Sequence, residues 1–125
     1  MGILDQDAVA TGATAAVMAK NGGTARIVAG NVASKAEVET GIASLTAELG
    51  PVDILVNSAG ILRSGTLLDM SESDWRETFR VNVGGLFHVT RAVVPGMVAR
   101  RSGVIVNLTS WMCAPTRRPI SPARR

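Results

Sequence analysis

Four short apolar runs, each leading into a small polar residue, are spaced along the chain with helix-patterned stretches between them: "GILD" (2–5), "ARIVAGNV" (25–32), "VDILVNSAG" (52–60) and "GVIVNLTS" (103–110). Apolar runs of this length without strict alternation suit strands buried on both faces. Their order with the intervening stretches is strand, helix, strand, helix, strand, helix, strand. That order restricts the chain to an α/β layered fold with a parallel sheet joined by right-handed crossovers.

The helical stretches have their own signals. Val9, Ala13, Ala16 and Val17 recur at helical spacing, and "KNGG" (20–23) stops that helix. Ser34 and Glu37 form a candidate capping box ahead of Val38, Ile42, Leu45 and Leu49, and "GP" (50–51) ends the helix. Ser71 and Asp74 offer a second N-terminus. Trp75, Phe79, Val83 and Leu86 then share a face, and the pattern runs on through Val93 to about Arg100. Pro95 and Gly96 are expected to bend or break it.

Composition narrows the function classes. Of 125 residues, 46% are hydrophobic and 18% charged, as in globular domains. No apolar run approaches the roughly 20 residues that span a bilayer, and no signal-peptide pattern follows Met1, so the expected setting is the cytoplasm without membrane contact. The net charge of +3 comes from the end of the chain. Residues 1–110 hold ten acidic and nine basic residues, and Arg117, Arg118, Arg124 and Arg125 supply the rest. With a near-neutral body and few aromatics, no nucleic-acid partner is expected. Cys113 is the one cysteine and His88 the one histidine. No disulfide within the chain and no metal site are expected, and His88 reads as a packing or surface residue of a helix.

In open parallel sheets, ligands gather at the carboxyl ends of the strands. Asp5, Asn31, Asn57 and Ser110 stand at the four strand ends. Together they favour a binding site, although turn chemistry also places such residues there.

At this point the motifs resemble the short-chain dehydrogenase/reductase family. "DILVNSAGI" is similar to its strand and Asn-Asn-Ala-Gly motif, with Ser58 in place of the second Asn. "RVNVGGLF" resembles the helical segment carrying its site asparagine, here Asn82. "GVIVNLTS" resembles the strand ending in its catalytic serine, here Ser110. The resemblance spans residues 1 to about 112. It implies a partial Rossmann-like doubly wound parallel sheet at 1–112, lacking the first strand and the C-terminal part, followed by an irregular basic tail at 113–125.

The resemblance also implies roles. Asp5 would accept hydrogen bonds from the adenosine ribose hydroxyls and repel a 2′-phosphate, favouring NAD over NADP. Asn31 and Val32 would flank the adenine, Asn31 replacing the family's usual Asp. Asn57, Ala59 and Gly60 would let the backbone approach the cofactor; read bare, they make a turn. Ser110 would bond the substrate oxygen, or simply cap a turn. Asn82 would hold a water in a proton relay, or simply occupy a helix kink.

The family's glycine-rich pyrophosphate turn would precede Met1, and its Tyr-x-x-x-Lys would follow Ser110. The chain contains no tyrosine. The expectation is a fragment of an NAD(P)-dependent alcohol/ketone oxidoreductase, 3-oxoacyl reductase-like or polyol-directed, that is inactive as written. The alternative is a non-catalytic protein associating with a full-length homologue or with itself. The tail "TRRPISPARR" permits a Tyr-x-x-x-Lys in a shifted frame, with TAT across Pro119 and Ile120 and AAG across Ala123 and Arg124. A natural truncation and a splice end are the other readings. Without the family's first strand, the expected consequence is low stability, or re-pairing of "GILD" beside "DILVN".

Overall fold

The structure, a computed structural model, describes residues 1–63, 65–66 and 68–109. Ser110 and the 112/113 boundary lie outside the described residues. The elements are β1 (Gly2–Asp5), α1 (Ala8–Lys20), β2 (Arg26–Ala29), α2 (Lys35–Leu49), β3 (Ile54–Asn57), α3 (Glu72–Phe79), a π-helical segment (Arg80–Gly85), α4 (Leu86–Arg100) and β4 (Val104–Asn107). The α/β class and the parallel pairing hold. β1 pairs with β2, Gly2 opposite Arg26, and β3 pairs with β4, Ile54 opposite Val104. These are two separate two-stranded sheets. Of the two expected alternatives, re-pairing of β1 beside β3 does not occur: among the described residues β1 pairs with β2 alone.

Local chemistry explains the helix ends. Asp7 caps α1, its Oδ1 accepting from Val9 N (3.0 Å) and Ala10 N (2.9 Å). The cap stands just after a strand that itself ends in an acid, and the sequence reading did not single it out. Ser34 caps α2 and accepts from Glu37 N. The capping box is only half formed, because Glu37 Oε2 accepts from Asn31 N (2.9 Å) rather than from Ser34 N. Asn31 O takes the Ser34 N–H instead. Ser71 caps α3 as expected, accepting from Asp74 N at 3.0 Å.

The core gathers Val38, Leu55, Val89, Val93 and Met97, with Leu4, Val32, Ile42, Val52 and Ala92 packed against it. α2 packs on β1, β2 and α4, and α4 packs on β3. The seam between α2 and β1 is tight: a Cβ on Gly41 would lie 2.6 Å from Leu4 Cδ1 and 3.3 Å from Val28 Cγ1. Only glycine lets the helix sit this close.

One expectation about the third helix is corrected. Pro95 does not break it, since α4 runs through to Arg100. The stripe from Trp75 to Leu86 stays exposed and lies outside the core, with the π-helical segment running through it. The core positions beyond it are Gly85, Val89, Val93 and Met97, at steady four-residue spacing. Trp75, Phe79 and Val83 are left about half exposed.

Candidate functional site

A small pocket of about 90 Å³ lies where β1, β2 and β3 end. Asp5, Asn31, Val32, Ala59 and Gly60 line it, with Gly30, Ile61 and Val81 among their neighbours. Two of the residues singled out at strand ends, Asp5 and Asn31, therefore converge with three that the resemblance implied. Asn57 and Asn82 line the adjoining slot between β1 and β3, together with Asp5, Val32 and Ala59. Ser110 lies outside the described residues.

Asp5 is the last residue of β1. Its Oδ1 accepts the Asp7 N–H at 2.9 Å, which fixes the carboxylate at the start of the turn into α1. Among the described residues nothing bonds its other oxygen, so it can accept from a hydroxyl. Asn31 lies two residues beyond β2. Its Oδ1 accepts from Ala33 N (2.9 Å), closing the turn into α2. The Asn31 N–H, and after it the Ser34 hydroxyl, hold the Glu37 carboxyl below its ordinary pKa. Val32 is wedged against the π-helical segment: a Cβ on Gly85 would lie 2.6 Å from Val32 Cγ2. Val32 O also meets His88 Nδ1 at 3.1 Å, which makes His88 a packing histidine that ties α4 to the β2–α2 turn.

Asn82 sits inside the π-helical segment, and such segments often present side chains at functional sites. Its carboxamide clamps one backbone position: Oδ1 accepts from Ile61 N (2.8 Å) and Nδ2 donates to Ile61 O (3.0 Å). The loop after Gly60 is thereby held against the helix. A Cβ on Gly60 would lie 3.4 Å from Asn82 Oδ1, so the small side chains of Ala59 and Gly60 keep this surface open. One amide hydrogen of Asn82 has no bond among the described residues.

Asn57 is a cross-link. Its Nδ2 donates to Asn107 Oδ1 (2.9 Å) and Thr90 Oγ1 (3.1 Å), joining β3 to β4 and α4. Asn107 and Thr90 were not singled out from the sequence. The available signal was that Asn107 ends its apolar run as Asn57 ends the previous one, and the two are in register. Among the described residues no group of three His, Cys, Asp or Glu side chains could hold a metal ion, and no helix is long and apolar enough to cross a membrane.

The arrangement is an acidic corner, a small-residue floor and an apolar wall at the carboxyl edge of parallel strands, which suits a ribose and its base. The profile of the short chain dehydrogenase family matches residues 2–119, and the chain belongs to that family. A 3-oxoacyl-acyl-carrier-protein reductase of Thermotoga maritima is 40% identical over 80 residues, covering 64% of this chain and 32% of the relative. Among solved structures, NAD+-bound xylitol dehydrogenase superposes with a TM-score of 0.84 at 30% identity, covering 87% of this chain and 42% of that one. A gluconate 5-dehydrogenase of Burkholderia cenocepacia, in complex with NADP and tartrate, gives 0.78 at 36% identity, covering 87% and 43%. The chain spans about a third of the length of the curated relatives it matches. The Rossmann-like class is thus established, and the relatives hold both forms of the nicotinamide cofactor.

Proposed function

We propose that this chain is the cofactor-binding part of an NAD-dependent oxidoreductase acting on secondary alcohols and ketones, with 3-oxoacyl or polyol-like substrates. The observation that carries this is the convergence of Asp5, Asn31, Val32, Ala59 and Gly60 on one pocket at the strand ends. These residues fit the adenosine half of the cofactor: Asp5 keeps an oxygen for the ribose diol, Val32 offers an apolar wall, and Ala59 and Gly60 leave room. The Asp5 carboxylate, beside the Asp7 cap, would repel a 2′-phosphate, which favours NAD. When bound, the cofactor supplies a hydride acceptor or donor. Ser110 would hydrogen-bond the substrate oxygen, and Asn82 keeps the loop beneath the site in place. No tyrosine is available in these 125 residues to move the proton, so turnover by this chain alone is expected to stay at background. A nicotinamide pool and a single cysteine suit the cytoplasm.

Calorimetric titration with NAD+ and NADP+ tests the reading. The chain should prefer NAD+ by about tenfold or more, and Asp5→Ser should erase the preference. Tighter binding of NADP+ would contradict it, as would turnover of a secondary-alcohol panel well above background.

A second reading is favoured by one surface. Trp75 (49% exposed), Phe79 (47%), Val83 (56%) and Phe87 (54%) remain open along α3, the π-helical segment and α4, and the Trp75 and Phe79 rings lie 4.5 Å apart. This face suits association with a longer relative or with a second copy. Co-expression with a full-length homologue should yield a complex that Trp75→Ser weakens.

A further inference from the structure

Asn82, Gly85 and His88 follow one another at three-residue spacing, through the π-helical segment and into α4. All three meet the walls of the strand-end pocket. Asn82 bonds both backbone groups of Ile61. Gly85 leaves the space of its absent side chain to Val32, whose Cγ2 lies 2.6 Å from where a Cβ would stand. His88 Nδ1 lies 3.1 Å from Val32 O. Ile61 belongs to the loop after β3 and Val32 to the turn after β2, and both line the pocket. One helical stretch therefore holds the two segments that enclose it.

The His88 contact adds a chemical constraint. A carbonyl oxygen can only accept, so the bond requires the proton on Nδ1. A free neutral imidazole favours the proton on Nε2, so the contact selects the less populated tautomer. It is also the one hydrogen bond that Val32 O makes among the described residues. Without a donor at this place the carbonyl loses its partner, and the turn is held to α4 by the Val32 side chain alone. That side chain packs on the core and lines the pocket, so any shift of the turn moves the pocket's apolar wall.

We propose that His88 is a positioning residue for the base of the cofactor: its Nδ1–H, by holding Val32 O, fixes the apolar wall against which the adenine lies. The inference rests on the cofactor reading above.

Two measurements on the 125-residue chain test it. The first needs no ligand. Long-range nitrogen–proton correlation of the His88 ring, recorded well above the ordinary histidine pKa of about 6.5, should place the proton on Nδ1. A proton on Nε2 would overturn the proposal. The second is calorimetric titration of the native chain, His88→Phe and His88→Asn with NAD+. Phenylalanine keeps a ring and removes the donor, whereas asparagine puts an amide N–H near the place of Nδ1. His88→Phe should bind NAD+ about fivefold more weakly, the effect of one lost hydrogen bond, and His88→Asn should stay within about twofold of the native chain. The reverse order, a loss in His88→Asn and none in His88→Phe, is what packing of the ring alone would give and would overturn the proposal, as would an equal loss in both. If His88→Phe does not fold, a fivefold or greater loss in folded His88→Asn has the same consequence. A native chain that binds no NAD+ would overturn the cofactor reading and this inference with it. Binding that is indifferent to both substitutions would remove this inference alone.

Discussion

Asn82 shows how one side chain can hold a loop in place beside a pocket. Both polar atoms of its carboxamide bind Ile61, so Asn82→Ala should free the loop after Gly60. The expected cost is about 1–2 kcal/mol in denaturant unfolding, with faster exchange of the Ile61 amide. Gly85→Ala should be as costly, about 1–3 kcal/mol, because the added carbon meets the stiff Val32 side chain and not a flexible chain end. Glu37 gives a pH signature. Its pKa is held down by the Asn31 N–H and the Ser34 hydroxyl. The link is therefore complete above the ordinary carboxylate range, near pH 4, and is lost as pH falls below it through the lowered value. The protection factor of the Asn31 amide, its exchange corrected for the intrinsic pH dependence, should fall over that window in the native chain and stay flat with pH in Glu37→Gln. At this scale the sequence was informative: Asp5 and Asn31 were legible from their places at strand ends, and Val32, Ala59 and Gly60 from the resemblance to the family's motifs. Asn107 and Thr90 were not, because their importance comes from meeting Asn57, a contact made between elements.

The elements were legible in kind and order, less so in extent. "ARIVAGNV" promised eight residues of strand, but only Arg26–Ala29 pair. Asn31 instead closes a turn with its own side chain, which competes with the ladder. "GVIVNLTS" read as a buried strand, yet Val104, Ile105 and Val106 stay largely exposed because only β3 flanks β4 among the described residues. The π-helical segment was invisible to a 3.6-residue template, which carried Trp75, Phe79, Val83 and Leu86 through it on one face. Pro95 and Gly96 were expected to bend or break α4; the helix is not broken, and packing through Val93 and Met97 offsets the missing N–H. Pro95→Ala should therefore stabilise the chain by about 1–2 kcal/mol, read as a raised midpoint in a denaturant melt.

For the whole molecule, the alternation of strands and helices was enough to fix a parallel α/β class, because crossover connections allow little else. Strand pairing was less accessible. Nothing in "GILD" says whether it pairs with β2 alone or also with β3. The two halves depend on α2, α4 and the core around Val38 for their union. The strand-end pocket lies where the halves meet: β1 and β2 lead into Asp5, Asn31 and Val32, and β3 leads into Ala59 and Gly60. The measurement that tests the proposed cofactor site most directly is an amide shift map of the labelled chain titrated with NAD+. The predicted result is saturable shifts confined to Asp5, Asn31, Val32, Ala59, Gly60 and their immediate neighbours, weakened in Asp5→Ser. Shifts elsewhere, or none at cofactor concentrations that saturate the family's enzymes, would contradict it.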